Sequence, residues 1–240
     1  MPDWGMHEDV ADATALAVNR VLDEFLATLA EDVSKRAFKR LLFGKQTLGD
    51  VDLDYKPETY TRFNLVEPLL TAIDLQYQLE PRSTDINRNR WPDIKLTSSA
   101  IPYIGEVKAL NDIDSGREEI KEYLGIDGFI GPYGILTDGA EWLVFGPPDD
   151  GGRTSNPVVR KRCSLSDALK TVALVEGHWD EDLLSSEIQA TGIDQIEAFP
   201  RMFHADELDT WALEKMPPTY RAEFLSEHES LQASLDGVWE

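Results

Sequence analysis

Trp91-Pro92-Asp93-Ile94-Lys95-Leu96-Thr97-Ser98-Ser99-Ala100-Ile101-Pro102-Tyr103-Ile104-Gly105-Glu106-Val107-Lys108 reads as two short apolar strands about a small polar turn. With the turn centred between Ser99 and Ala100, Asp93 stands directly opposite Glu106, and facing Cβ atoms in such a pair lie roughly 4.5–5.5 Å apart. Two carboxylates that close repel unless a cation lies between them, and a hard divalent ion with oxygen ligands suits the gap. The two-residue period of a strand then sets Lys108 on the same face as Glu106. A one-residue slip would turn Asp93 to the other face, and Pro102 permits a bulge or an edge position at the start of the second strand. The simpler alternative is an ordinary hairpin whose solvent face carries both acids, with Lys108 pairing to one of them.

Outward from this hairpin the pattern alternates between helices and strands. On the N-terminal side, residues 11–43 form a helix or helix pair, with Leu16, Val18, Val21, Leu22, Phe25, Leu26, Leu29 and Val33 as its apolar side. A second helix opens at Pro57-Glu58 and continues through Phe63, Val66, Leu69, Leu70 and Ile73, with Pro68 as a candidate kink. Tyr77-Gln78-Leu79 is a short strand. On the C-terminal side, 115–124 is a short helix, and Asp138-Gly139 joins an apolar strand over 129–137 to one over 141–145. Residues 158–163 add a strand, and Ser164 with Asp167 resembles a cap for a helix running to Val175. From Trp179 onward the chain is acidic and helical in pattern, with breaks expected at Pro200 and Pro217-Pro218. The expected class is α/β, a mixed sheet flanked by helices. It divides into an N-terminal helical segment (1–54), a central core (55–163) and an acidic helical extension (164–240).

Composition narrows the chemistry. The 240 residues carry 45 acidic against 23 basic side chains, a formal charge of −22, spread over segments apolar enough to fold. In dilute salt that charge opposes approach to a polyanion. At molar salt the screening length falls to about 3 Å and local contacts decide binding, so a halophilic setting is expected. A membrane span and a secretory leader have no support in the sequence, which points to a cytoplasmic protein. Cys163 is the single cysteine, and His7, His178, His204 and His228 are scattered, so zinc and Ser-His-Asp chemistry are not expected. Gly44-Lys45-Gln46-Thr47 lacks the residues of a phosphate-binding P-loop. Arg82, Arg88, Arg90, Arg153, Arg160, Lys161 and Arg162 are candidates for phosphate contacts, although for any single one a solvated loop charge is the favoured reading.

Pro92-Asp93 followed by Glu106-Val107-Lys108 resembles the PD…ExK signature of restriction-type nucleases. Its context is similar to the N-terminal nuclease domain of type I restriction endonuclease subunits. A block like Lys56-Pro57-Glu58-Thr59-Tyr60-Thr61-Arg62, with the apolar helix Leu65-Val66-Glu67-Pro68-Leu69-Leu70, comes before the PD strand, and one like Tyr133-Gly134-Ile135-Leu136-Thr137-Asp138-Gly139-Ala140-Glu141-Trp142 comes after ExK.

The resemblance covers residues 56–145 and implies a restriction-endonuclease-like fold. It also implies a Mg²⁺-dependent DNA endonuclease, with Mn²⁺ as a substitute ion. Asp93 and Glu106 would bind the metal and Lys108 would be catalytic. It implies a further acid on the first helix of the fold, matched by Glu58, with Glu67 as the rival. Many relatives place a glutamine one turn before a tyrosine in the helix after ExK. This chain has Tyr123 but offers Glu118 and Glu119 there, which puts a site role for Tyr123 in doubt. The competing reading is a nuclease-like fold that serves as a DNA-binding or regulatory subunit without hydrolysis. The C-terminal helices could then form a homodimer or partner surface, or simply cover the core.

Overall fold

The computed structural model describes residues 5–81, 91–124, 132–149, 156–179 and 185–227. Its centre is one six-stranded mixed sheet, in which spatial order follows chain order: β1 (Tyr77–Leu79), β2 (Ile94–Leu96), β3 (Tyr103–Val107), β4 (Tyr133–Thr137), β5 (Glu141–Gly146) and β6 (Val158–Ser164). Only β3 and β4 run parallel, linked through helix α5 (Arg117–Leu124); the other neighbours are antiparallel. Around the sheet stand α1 (Gly5–Asp32), α2 (Lys35–Leu42), α3 (Pro57–Thr61), α4 (Glu67–Ala72), α6 (Ser166–Val175), α7 (Ser186–Phe203), α8 (Ala205–Lys215) and α9 (Pro218–Glu227). This is an α/β, restriction-endonuclease-like mixed sheet flanked by helices.

Strand alternation divides the core in two. Val107, Ile135, Trp142 and Val144 point to the larger side, where Val18, Leu22, Phe25 and Leu29 of α1 and Phe199 and Phe203 of α7 meet them. Trp142 is fully buried, donates from its indole nitrogen to Gly139 O at 3.0 Å, and packs against Phe199 and Phe203 with ring centroids 5.0 and 5.3 Å away. Each such aromatic pair adds about 0.5–1.5 kcal/mol beyond its buried area. On the opposite face Ile104, Leu136, Leu143 and Phe145 pack under Ile120 and Tyr123 of α5. The candidate site lies on this smaller side, where α5 crosses the end of β3.

Several local expectations are corrected. Leu16 is 70% exposed, because the buried stripe of α1 runs through Val18, Leu22, Phe25 and Leu29 at helical spacing and leaves Leu16 off that face. Phe63 is likewise 53% exposed. Pro68 produces no simple kink: residues Arg62–Val66 form a π-helical turn, and α4 starts afresh at Glu67 so that Pro68 falls in its first turn, where a missing N–H is harmless. Pro102 sits just before β3, a central strand, and neither bulges it nor places it at an edge. Pro200 does not break α7, which continues through it to Phe203.

The N-terminus of α6 is capped from a distance. Gln195 Oε1 of α7 accepts from Asp167 N and Ala168 N, both at 3.0 Å, whereas Ser164 Oγ accepts from Ser166 N and donates to Glu141. In the β4–β5 turn, Asp138 Oδ1 accepts from Ala140 N and Glu141 N, and Gly139 takes φ +85°, a left-handed value that also brings its α-carbon against Leu65.

The C-terminal helices bury Phe199, Phe203, Leu208, Ala212 and Leu213 in the main core. They also grip the central hairpin. The Asp209 carboxylate of α8, itself buried, accepts from Ala100 N at 2.7 Å, from Ile101 N at 3.0 Å and from the Ser99 hydroxyl. Tyr103 and Tyr133 donate from their hydroxyls to Leu208 O and Ala212 O. Among the described residues no helix is long and apolar enough to cross a membrane.

Candidate active site

The β2–β3 ladder pairs Ile94 with Gly105 and Lys95 with Ile104. Asp93 directly precedes β2 and turns its carboxylate to the end of β3, where Oδ2 accepts from Val107 N at 2.8 Å. Glu106 projects from β3 on the α5 side. Lys108 continues that face one step on, its N–H donating to Thr137 O at 2.8 Å so that the backbone stays in register with β4.

The Lys108 ammonium is the hub. Its side chain is 8% exposed, and Nζ lies 2.8 Å from Glu106 Oε1, 2.6 Å from Glu119 Oε2 and 3.7 Å from Glu58 Oε1. Burial alone would lower its pKa, but hydrogen bonds and charge from Glu106 and Glu119 outweigh that and hold it above the ordinary lysine value. Without a bound cation, this environment favours the charged ammonium. Glu58 reaches the site from the first turn of α3 with its side chain 58% exposed.

Glu67 serves elsewhere. It lies 3.3 Å from Arg62 Nε and accepts from the Tyr77 hydroxyl, while Arg62 Nη1 reaches Asp93 Oδ1 at 3.6 Å. Of the two rival acids, Glu58 touches the lysine directly and Glu67 is linked to the site through Arg62.

Glu119 is the residue that the sequence reading undervalued. It stands one turn before Tyr123, where the resemblance implies a glutamine. The Tyr123 hydroxyl lies 3.4 Å from Glu119 Oε1 and 3.1 Å from Trp91 O, the residue two before Asp93. Tyr123 thus both packs, with Ile120, and ties α5 to the start of β2. The neighbouring Glu118 faces solvent and pairs with Lys121. The available signal was helical phase: Glu119 lies four residues before Tyr123, and Glu118 does not share that face.

The carboxylates of this site are short of positive charge. Burial and the nearby Asp93 charge push the Glu106 pKa up to about 8, and burial raises Asp93 as well. Glu106 Oε2 is buried without a hydrogen-bond partner. A buried acceptor in that state costs on the order of 1–3 kcal/mol. A hard divalent cation between Asp93 and Glu106 would relieve both conditions. No three His, Cys, Asp or Glu side chains converge as a complete metal cage among the described residues. Two carboxylates suit Mg²⁺, which keeps several waters and commonly uses one or two protein acids.

Of the basic residues considered for phosphate contacts, Arg82, Arg88, Arg90 and Arg153 lie outside the described residues. Arg160 pairs with Asp149, and Lys161 turns inward, donating to Met202 O at 2.8 Å beneath the Trp211 ring.

No protein-family model matches the chain, and no solved structure matches it. A relative from Methanocaldococcus jannaschii, named as a candidate type II restriction enzyme and methyltransferase, is 28% identical over 93 residues. That stretch is 37% of this chain and 8% of the relative, so the chain spans a small part of that protein's length. Over this stretch the chain is similar to a restriction-type enzyme.

Proposed function

We propose that this protein is a Mg²⁺-dependent DNA endonuclease of the PD-(D/E)XK kind, related in its core to type I restriction nuclease domains, with Asp93 and Glu106 as metal ligands and Lys108 as a catalytic residue. The observation that carries the reading is the unpartnered, buried Glu106 Oε2 beside the Asp93 carboxylate and the Lys108 ammonium. The similarity to a restriction enzyme supports DNA as the substrate.

A bound Mg²⁺ would lower the pKa of a coordinated water and offset charge on phosphate oxygens. Within the chain, Asp93 and Glu106 supply the two anionic oxygen donors, and Val107 N fixes the orientation of Asp93. Lys108, held charged, acts as a donor: it orients the attacking water or a phosphate oxygen and stabilises negative charge as it grows. Glu58 borders the lysine from the solvent side and helps to aim it. The −22 charge is read as an adaptation to high salt, where screening lets a local site meet a polyanion.

Glu119, where the resemblance implies a glutamine, is the departure that keeps a second reading, a nuclease-like DNA-binding or regulatory subunit without hydrolysis. One experiment separates the two: cleavage of supercoiled, linear and single-stranded DNA with Mg²⁺ or Mn²⁺ at high KCl, beside calorimetric metal titration. The nuclease reading expects cleavage by wild type. It expects Lys108→Ala to keep fold and metal binding but lose most cleavage, and Glu106→Ala to lose both. Equal cleavage by wild type and Lys108→Ala would remove the catalytic role of the lysine. Silence from wild type would favour the subunit.

A further inference from the structure

We propose that Gly116 is a positioning residue for Lys108, through the space that its missing side chain leaves. Gly116 closes the 3₁₀ turn Ile113–Gly116 that leads into α5, and it is buried. Its φ lies outside the left-handed region, so the backbone there makes no demand for glycine. The surroundings do. A Cβ at this position would lie 2.4 Å from Leu136 Cδ1, 2.8 Å from Lys108 Cε and 3.0 Å from Lys108 Cγ. The aliphatic stem of the lysine runs over the bare α-carbon of Gly116, pinned between it and the end of the sheet.

The same helix start sets the far end of the side chain. Glu119, three residues beyond Gly116, takes Nζ at 2.6 Å, and Tyr123, a further turn along, lies within hydrogen-bond reach of Glu119 Oε1. Gly116, Glu119 and Tyr123 thus line one face of the segment. The glycine admits the stem, the carboxylate holds the ammonium, and the tyrosine steadies the carboxylate. A methyl group at 116 would push the stem sideways while the ammonium remains drawn to Glu106 and Glu119. Cε, which would lie 2.8 Å from that methyl, is bonded to Nζ, so moving it aside reorients the ammonium.

This role rests on the nuclease reading for its consequence but not for its geometry, so the test has a readout independent of cleavage. In wild type, the ion-paired Lys108 ammonium should give an exchange-protected ¹H–¹⁵N NMR signal, assigned by its loss in Lys108→Arg. Gly116→Ala should shift or abolish that signal and slow DNA cleavage about tenfold or more, a barrier change of about 1.4 kcal/mol. Mn²⁺ affinity should stay within about threefold, since the atoms nearest a Cβ at 116 belong to Leu136 and Lys108, not to Asp93 or Glu106. Gly116→Ala combined with Leu136→Val removes the nearest clash and restores folding if the single variant is impaired. A Lys108 signal still displaced in the refolded double variant supports the proposal. Return of the signal to its wild-type position would mean that the space serves Leu136, and would overturn it. An unchanged signal in Gly116→Ala would overturn it as well. Wild type that cuts no DNA while the NMR behaves as stated would sink the nuclease reading and leave the placement of Lys108 by Gly116 standing.

Discussion

Protons and divalent ions should compete for Glu106. The Glu106 pKa is pushed up to about 8 by burial first and by the Asp93 charge second, with Lys108 pulling the other way. At pH 6, two units lower, roughly 99 of 100 molecules would carry a proton on this carboxyl, and apparent Mn²⁺ affinity should be roughly 100-fold weaker than on the plateau above pH 9. Each pH unit below 8 should cost about 1.4 kcal/mol of binding free energy. The stability of the free protein runs the opposite way with pH. The folded pKa lies above the ordinary 4.5, so this group stabilises the fold fully below pH 4.5, and the contribution is lost as pH rises through 8, on the order of 5 kcal/mol at most. Added Mg²⁺ should therefore raise the melting temperature most at alkaline pH. The assay is calorimetric Mn²⁺ titration at pH 6, 7, 8 and 9, each in two buffers of different ionisation heat, which counts the protons released. About one proton per ion should appear at pH 6–7, falling toward none above pH 9, and Glu106→Gln should release none. Metal binding at pH 6.5 without proton release and at full affinity would refute the argument.

Two further expectations concern stability. Asp209→Ala removes the acceptor of Ala100 N and Ile101 N and should cost about 2–4 kcal/mol, a fall of roughly 5–15 °C in melting temperature by calorimetry. A change within 1–2 °C, roughly the scatter of surface variants, would show the clamp to be idle. With 45 acidic against 23 basic residues, self-repulsion should make the melting temperature climb between about 0.1 and 2 M KCl, and a flat profile would argue against a high-salt setting.

The hairpin could be read from sequence because its turn and its strand period are local. Ile94 does face Gly105 and Lys95 does face Ile104, the pairing that a turn centred between Ser99 and Ala100 requires. Glu119 was harder to read. Choosing it over Glu118 needs the phase of α5, and the four-residue step to Tyr123 gives that phase only once Tyr123 is placed beside the site, which its packing with Ile120, Leu136 and Phe145 does. The cap of α6 followed the same logic. Ser164 was the local candidate, yet Gln195 supplies the acceptor from 27 and 28 residues downstream. Pro200 misled because a proline within a helix is disfavoured on average, whereas the last turn of α7 tolerates it while Phe199 and Phe203 are fixed in the core. The tie between Glu67 and Asp93 through Arg62 depends on a π-turn that no periodicity announces.

The clamp on the central hairpin bears on the order in which the molecule is made. Asp209 lies 108–110 residues after the turn that it holds, so a ribosome adding about 5–20 residues per second emits the hairpin roughly 5–20 s before its acceptor. During that interval the growing chain already contains Asp93, Glu106 and Lys108, while Ala100 N and Ile101 N lack their native partner. Completion of the hairpin is thus tied to the emergence of α8, and the newborn polypeptide gains its full set of turn contacts only after the 108–110 residues that follow the turn have been added.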